Sequence, residues 1–121
     1  MRIVLIEDDR HLLRSLETIL RDLGLSVMSF HNAEAAIFFL NLRPIMDVLV
    51  IDYQLKTMTA KYLMKRLKDV LPKKCKVILI SGYADLIKEL NLKELGIDVF
   101  LPKPLDLDKL LSLIDKIDDC Y

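Results

Sequence analysis

Three acids stand together early in the chain, Glu7-Asp8-Asp9, and a fourth, Asp52, directly follows an apolar run at residues 48–51. Ser81-Gly82 ends a second such run, and Lys103-Pro104 comes soon after a third. Packed carboxylates repel: two unit charges about 5 Å apart, at an effective dielectric of about 20, cost roughly 3 kcal/mol. A hard divalent cation with oxygen ligands is the natural compensation, and Mg²⁺ (or Mn²⁺) uses few carboxylates, keeps waters and often meets phosphate. Such an ion would screen Asp52 from an incoming phosphate and steady charge on the phosphoryl oxygens during in-line transfer. Lys103 would then pair with Asp52 at rest and with a phosphoryl oxygen afterwards, while Ser81 would hydrogen-bond another of those oxygens. That chemistry requires the four segments to meet.

The pattern of the chain supplies the means. Short apolar runs rich in β-branched residues fall at 3–6, 48–51, 77–80 and 99–101, and a fifth run at 25–30 is broken by Ser26 and Ser29. Unbroken runs suit strands covered on both faces, so the serine-broken one is expected at an edge. Helical stripes alternate with them. Leu12, Leu13, Leu16, Ile19, Leu20 and Leu23 form the first, closed by Gly24 as a C′ residue. The second, 33–42, has Asn32 at its N-cap and Pro44 beyond its end. Ala60, Leu63, Met64, Leu67, Val70 and Leu71 form a third, stopped by Pro72. A fourth is expected over 85–95, ended by Gly96, and a fifth runs from Leu107 to Ile117 with Asp106 as its cap. Five β-α units in succession predict an α/β fold, a parallel sheet with helices on both faces joined by right-handed crossovers. In open sheets of this kind ligands bind beyond the carboxyl ends of the strands, which is where Glu7, Asp8, Asp52, Ser81 and Lys103 all fall.

Bulk composition narrows the function. At 121 residues the chain is one ordinary domain, expected over its full length with no output domain. Eighteen basic residues balance eighteen acidic ones, so no basic excess supports direct nucleic-acid binding. No apolar segment approaches the roughly 18 residues of a membrane span, and the N-terminus does not resemble a secretory signal. The expected setting is cytoplasmic, with no membrane partner. Cys75 and Cys120 fall in no metal or redox spacing and read as reduced thiols. His11 and His31 read as surface residues, since nothing pairs with them at ligand spacing. Asp9 reads better as a cap of the first helix than as a ligand. Asp52 resists so plain a reading, because an acid ending an apolar strand is costly to bury without a partner or ion.

With these residues in place, the chain resembles the receiver domains of two-component response regulators over essentially its whole length. The likeness is carried by Ile-Glu-Asp-Asp at 6–9, Val-Leu-Val-Ile-Asp at 48–52, Ile-Leu-Ile-Ser-Gly at 78–82 and Phe-Leu-Pro-Lys-Pro at 100–104. Each motif is weak alone; together, in this order and spacing, they are specific. The resemblance implies a flavodoxin-like three-layer sandwich with strand order 2-1-3-4-5. It implies that Asp52 accepts a phosphoryl group from a histidine kinase or histidine phosphotransfer protein. Glu7, Asp8 and Asp52, with the backbone carbonyl of Gln54, would hold the metal; Ser81 and Lys103 would contact the phosphoryl group. The Lys103-Pro104 peptide would be cis. Ser81 and Phe100 would form a switch that reshapes the fourth helix, fifth strand and fifth helix for an output partner or a homodimer. Such a domain assists its own phosphorylation and autodephosphorylation and is otherwise a signalling phosphoacceptor, not a turnover enzyme.

The chain departs from the family pattern in the segment after Asp52, with Lys56 at a common proline position and Ala60 at a common glycine position. Three other functions share parts of this pattern. A phosphorylation-independent interaction module could use the same fold, although the full set of acids, Ser81 and Lys103 argues against it. An aspartate-nucleophile phosphatase needs a second acid two residues after the nucleophile, and here that residue is Gln54. A dinucleotide-binding domain needs a glycine-rich first turn, and this chain has three scattered glycines.

Overall fold

The computed structural model describes residues 1–119. Its elements alternate strictly: β1 (Arg2–Ile6), α1 (Arg10–Asp22), β2 (Ser26–Phe30), α2 (Ala33–Asn41), β3 (Val48–Asp52), α3 (Ala60–Leu67), β4 (Lys76–Ser81), α4 (Ala84–Lys88), β5 (Val99–Pro102) and α5 (Leu107–Asp119). All pairings are parallel, in the order β2-β1-β3-β4-β5. The serine-broken strand β2 is therefore at an edge, as its interrupted apolar pattern predicts.

Because side chains alternate across a strand, each central strand feeds two cores. Val4, Ile6, Leu49, Ile51, Val77 and Leu79 face one way, against α2, α3 and α4. Ile3, Leu5, Val48, Val50, Ile78 and Ile80 face the other, against α1 and α5. Full burial of each such side chain contributes about 1.5–3 kcal/mol, so the two layers hold the strands in one register and fix their ends side by side.

Local chemistry caps α1 at both ends and starts α2, α3 and α5. Asp9 caps α1, its side chain accepting from the backbone N–H groups of His11 and Leu12. At the other end Gly24 adopts a φ of 84°, donating to Arg21 while Leu25 donates to Leu20. That is the Schellman arrangement, which needs a left-handed residue at this position. Asn32 caps α2, Thr59 caps α3 and Asp106 caps α5.

Two helices are shorter than their stripes. α3 regularises only to Leu67, and turns carry the chain on to Pro72, a residue type that disfavours helical backbone in the position before it. The larger correction concerns the fourth helix, expected over 85–95. Regular α4 covers only Ala84–Lys88. Leu90 donates to Ile87 in a closing turn, and the Asn91 side chain accepts from Glu94 to start a separate turn that ends at Gly96. An asparagine with its own backbone partner competes with helix continuation.

His11 and His31 are both exposed, and Cys75 is a buried free thiol. Cys120 lies outside the described residues. Among those residues no helix is long and apolar enough to cross a membrane.

Candidate functional site

The site forms where β1, β3, β4 and β5 end together. β1 and β3 are neighbours, with Ile6 paired to Ile51, so the residues that follow them, Glu7 and Asp52, emerge side by side. One ligand oxygen from each of Glu7, Asp8 and Asp52 can be chosen so that all lie within 4.8 Å of one another. Glu7 and Asp52 are only 4% and 7% exposed, while Asp8 is half-buried. The set is entirely oxygen, anionic and short of counter-charge, which matches the donor preference of a hard divalent cation. Asp9, the remaining acid of the run, is turned to its capping role, and its own N–H donates to Glu7 Oε2 at 3.3 Å.

β5 brings in the single ammonium. Lys103 Nζ donates to Glu7 Oε1 at 2.7 Å and lies 3.4 Å from Asp52 Oδ1. The sequence suggested Asp52 as its resting partner; Glu7, 96 residues away in the chain, is the closer one. The Lys103-Pro104 peptide is cis, and the Lys103 N–H donates to the Ser81 carbonyl at 2.8 Å.

One ammonium against three carboxylates leaves excess negative charge in a dry place. Burial, then hydrogen bonding with Asp52, pushes the Glu7 carboxyl up to about 7, against the opposing pull of Lys103. Asp52 is also raised, first by burial and further by the charge of Asp8, although its hydrogen bond to Glu7 and the Lys103 ammonium oppose this. Burial works against the charge on Lys103, but Glu7 and Asp52 outweigh it and hold the ammonium above its ordinary value. Carboxyls raised in this way gain from a cation that takes the place of their protons.

Ser81 is 1% exposed, and its hydroxyl accepts from the Tyr83 N–H at 2.9 Å. Phe100 pairs with Leu79 across β4 and β5 and is half-buried on the core face that includes Ile87 of α4. Gln54 is exposed in the loop after β3, where it bridges to Thr59. That loop closes on itself: Leu55 donates to Met58, and Ala60 donates to Tyr53 at 2.8 Å. Ala60 is fully buried and has no positive φ, so the turn forms without the glycine common there; Lys56 is exposed at its tip. The sequence reading gave no part to Tyr83 as a backbone donor, since no side-chain signal marks such a role.

Comparison with known proteins identifies the family to which this fold belongs. A family model described as the response regulator receiver domain matches residues 3–115. The DNA-binding transcriptional regulator NtrC of Klebsiella pneumoniae is 29% identical over 112 residues, covering 93% of this chain and 24% of NtrC. The chain thus spans about a quarter of that relative's length. A CheY-like receiver domain protein from Methanospirillum hungatei JF-1 superposes with a TM-score of 0.86 at 26% identity, covering 98% of this chain and 94% of that one. The response regulator TrrA of Thermotoga maritima, solved in complex with Mg²⁺-BeF, has the same fold, with a TM-score of 0.79 at 20% identity over 96% of this chain and 97% of its own. The chain belongs to the response regulator receiver domain family of two-component systems.

Proposed function

We propose that Asp52 is the phosphoacceptor of this receiver domain, taking its phosphoryl group from a phosphohistidine on a histidine kinase or histidine phosphotransfer protein. The observation that carries this reading is the position of Asp52: a nearly buried carboxylate at the end of β3, set beside Glu7 and Asp8 and 3.4 Å from Lys103. In the transfer an Asp52 carboxylate oxygen forms the new O–P bond as the N–P bond of the donor breaks; the N–P electron pair stays on that nitrogen, and because the donor's other ring nitrogen already carries a proton the histidine leaves as neutral imidazole. Glu7, Asp8 and Asp52 would hold Mg²⁺, with the Gln54 backbone carbonyl as a further ligand. When bound, that ion supplies charge neutralisation for the phosphoryl oxygens. The relative TrrA, crystallised with Mg²⁺-BeF, supports this assignment.

The other residues divide the remaining work. Lys103 releases part of its hold on Glu7 and pairs with a phosphoryl oxygen. The Ser81 hydroxyl gives up the Tyr83 N–H and donates to another oxygen. That movement draws the loop after β4 inward, and Phe100 follows, altering the α4-β5-α5 surface for an output partner or a second copy. The brevity of α4 favours this, since little regular structure must be broken there. The domain works as a signalling phosphoacceptor that assists its own phosphorylation and hydrolysis. The donors it needs are cytoplasmic, and we place it with them.

Intact mass measured after incubation with a small acyl phosphate tests the proposal. One added phosphoryl mass that requires Mg²⁺ is expected, and it should vanish in Asp52→Asn. Persistence of the adduct in that variant would assign the acceptor elsewhere.

A further inference from the structure

The far end of the sheet carries a cavity of opposite chemistry to the acidic site. It has a volume of about 610 Å³ and opens between the starts of β4 and β5 and the last turns of α5. Lys76 on its wall is in register with Val48, the first residue of β3, whereas Asp52 is the last. Ile78 and Val99 are register partners, so both side chains lie on the sheet face that α5 covers. Leu113, Lys116 and Ile117 are spaced i, i+3 and i+4, which makes them one stripe of α5 over the same floor. The floor is aliphatic throughout.

Lysines form the rim. Side chains alternate along β4, so Lys76 continues the row of Ile78 and Ile80, and an apolar row ends in an ammonium. Lys73 and Lys74 come from the turn before β4 and Lys116 from α5, so four ammoniums face the cavity with one carboxylate, Asp98. The chain as a whole has a formal charge of zero, so this excess is local. The Asp98 carboxylate accepts from the Val77 N–H at 2.8 Å, which ties it to the start of β4. Among the described residues Lys73, Lys76 and Lys116 form no ion pair, and all three are exposed. A single exposed lysine is an ordinary solvated residue; several around one aliphatic floor select a ligand by charge and shape together.

That combination narrows the occupant. No aromatic ring lines the cavity among the described residues, so a nucleotide base has nothing to stack on. A cation, or the same end of a second copy, would meet like charge. A multiply charged anion with an aliphatic body satisfies both the rim and the floor, and the volume lies within the roughly 300–1,000 Å³ usual for small-molecule sites. We infer that this cavity binds a small aliphatic phosphate ester, its chain over Ile78, Val99, Leu113 and Ile117 and its dianionic head among Lys73, Lys76 and Lys116.

Octyl phosphate, titrated below its critical micelle concentration into nitrogen-15-labelled protein in EDTA, tests this. Saturable amide shifts should concentrate on residues 73–78, 98–99 and 113–117. Inorganic phosphate and octyl glucoside each lack one half of the ligand and should bind at least about tenfold more weakly. Butyl phosphate, four methylenes shorter, should also bind at least about tenfold more weakly. The Lys76→Gln, Lys116→Gln double variant, at exposed positions that spare the core, should lose about fivefold or more, with the loss mimicked by high salt. The inference is overturned if the shifts fail to saturate or fall elsewhere, around Glu7 and Asp52 included. It is overturned equally if any of the three comparison compounds binds as tightly, or if the double variant binds unchanged. Attachment to phosphatidylglycerol vesicles without saturable binding of octyl phosphate would make the lysines a membrane-contact patch and overturn it as well.

Discussion

Lys103 Nζ lies 2.7 Å from Glu7 Oε1 and 3.4 Å from Asp52 Oδ1, so the one ammonium of the site is held by two acids and is nearer to Glu7 than to the proposed phosphoacceptor. In the metal-free protein that ammonium does not offset the burial of the two carboxyls, and both are raised, Glu7 to about 7.

Stability in EDTA should therefore fall as pH rises. Glu7 titrates near 7 when folded against 4.5 in the open chain, so the folded state holds the extra proton between those values. The contribution is fully present at low pH within that window and is lost as pH passes through about 7; for Glu7 it amounts to at most about 3 kcal/mol. Asp52, also raised, adds with the same sign. Urea unfolding at about pH 5 and about pH 7.5 checks this, with Glu7→Gln expected to remove most of the difference. Stability that is flat or rises across the interval would count against the assignment.

Asp8 and Asp9 are adjacent acids with different tasks. Asp9→Ala should cost about 1 kcal/mol, the ordinary value of a lost N-cap, and leave Mg²⁺ affinity essentially unchanged. Asp8→Asn should weaken Mg²⁺ binding about tenfold or more with little loss of stability in EDTA. Calorimetric titration together with thermal melting separates the two, and equal effects on metal binding would merge the roles.

Ser81→Ala removes the acceptor of the Tyr83 N–H, a cost of about 1 kcal/mol at a partly exposed backbone group. The larger effect should be on chemistry, with phosphorylation by a small acyl phosphate slowed about tenfold or more and Ser81→Thr restoring most of the rate. An unchanged rate in Ser81→Ala would confine the residue to its structural bond.

Much of this arrangement is legible in the sequence. The central strands announce themselves because burial on both faces demands unbroken apolar runs, and the parallel order then brings Glu7, Asp8, Asp52 and Lys103 to one edge. What the pattern cannot convey is three-dimensional distance: nothing about Lys103 distinguishes Glu7 from Asp52 as its nearer partner. The 85–95 stripe misleads because apolar spacing continues through Asn91, while the asparagine side chain closes a turn of its own. The exposure of Phe38 on α2 is equally hidden, since helical spacing is the same for a buried face and a bare one.

Cys75 should be a silent thiol. Burial, helped by the charges of Asp98 and Asp47, pushes it up to about 12, so little thiolate exists near neutrality. In a Cys120→Ser background, alkylation at about pH 8 should be slow in the folded protein and rise at least about a hundredfold in denaturant. Because the unfolded thiol ionises near 9 and the folded one does not, stability should also decline as pH rises above about 9. Rapid native labelling of Cys75 would show that its cover opens readily.

The central claim is that Asp52 takes the phosphoryl group, and borohydride trapping tests it at the residue itself. An aspartyl phosphate is reduced to homoserine, whereas free carboxylates are untouched. After incubation with an acyl phosphate and Mg²⁺, peptide mapping should find homoserine at position 52, and EDTA should abolish it. No conversion at 52, conversion at Glu7, Asp8 or another acid instead, or a yield indifferent to EDTA would contradict the account.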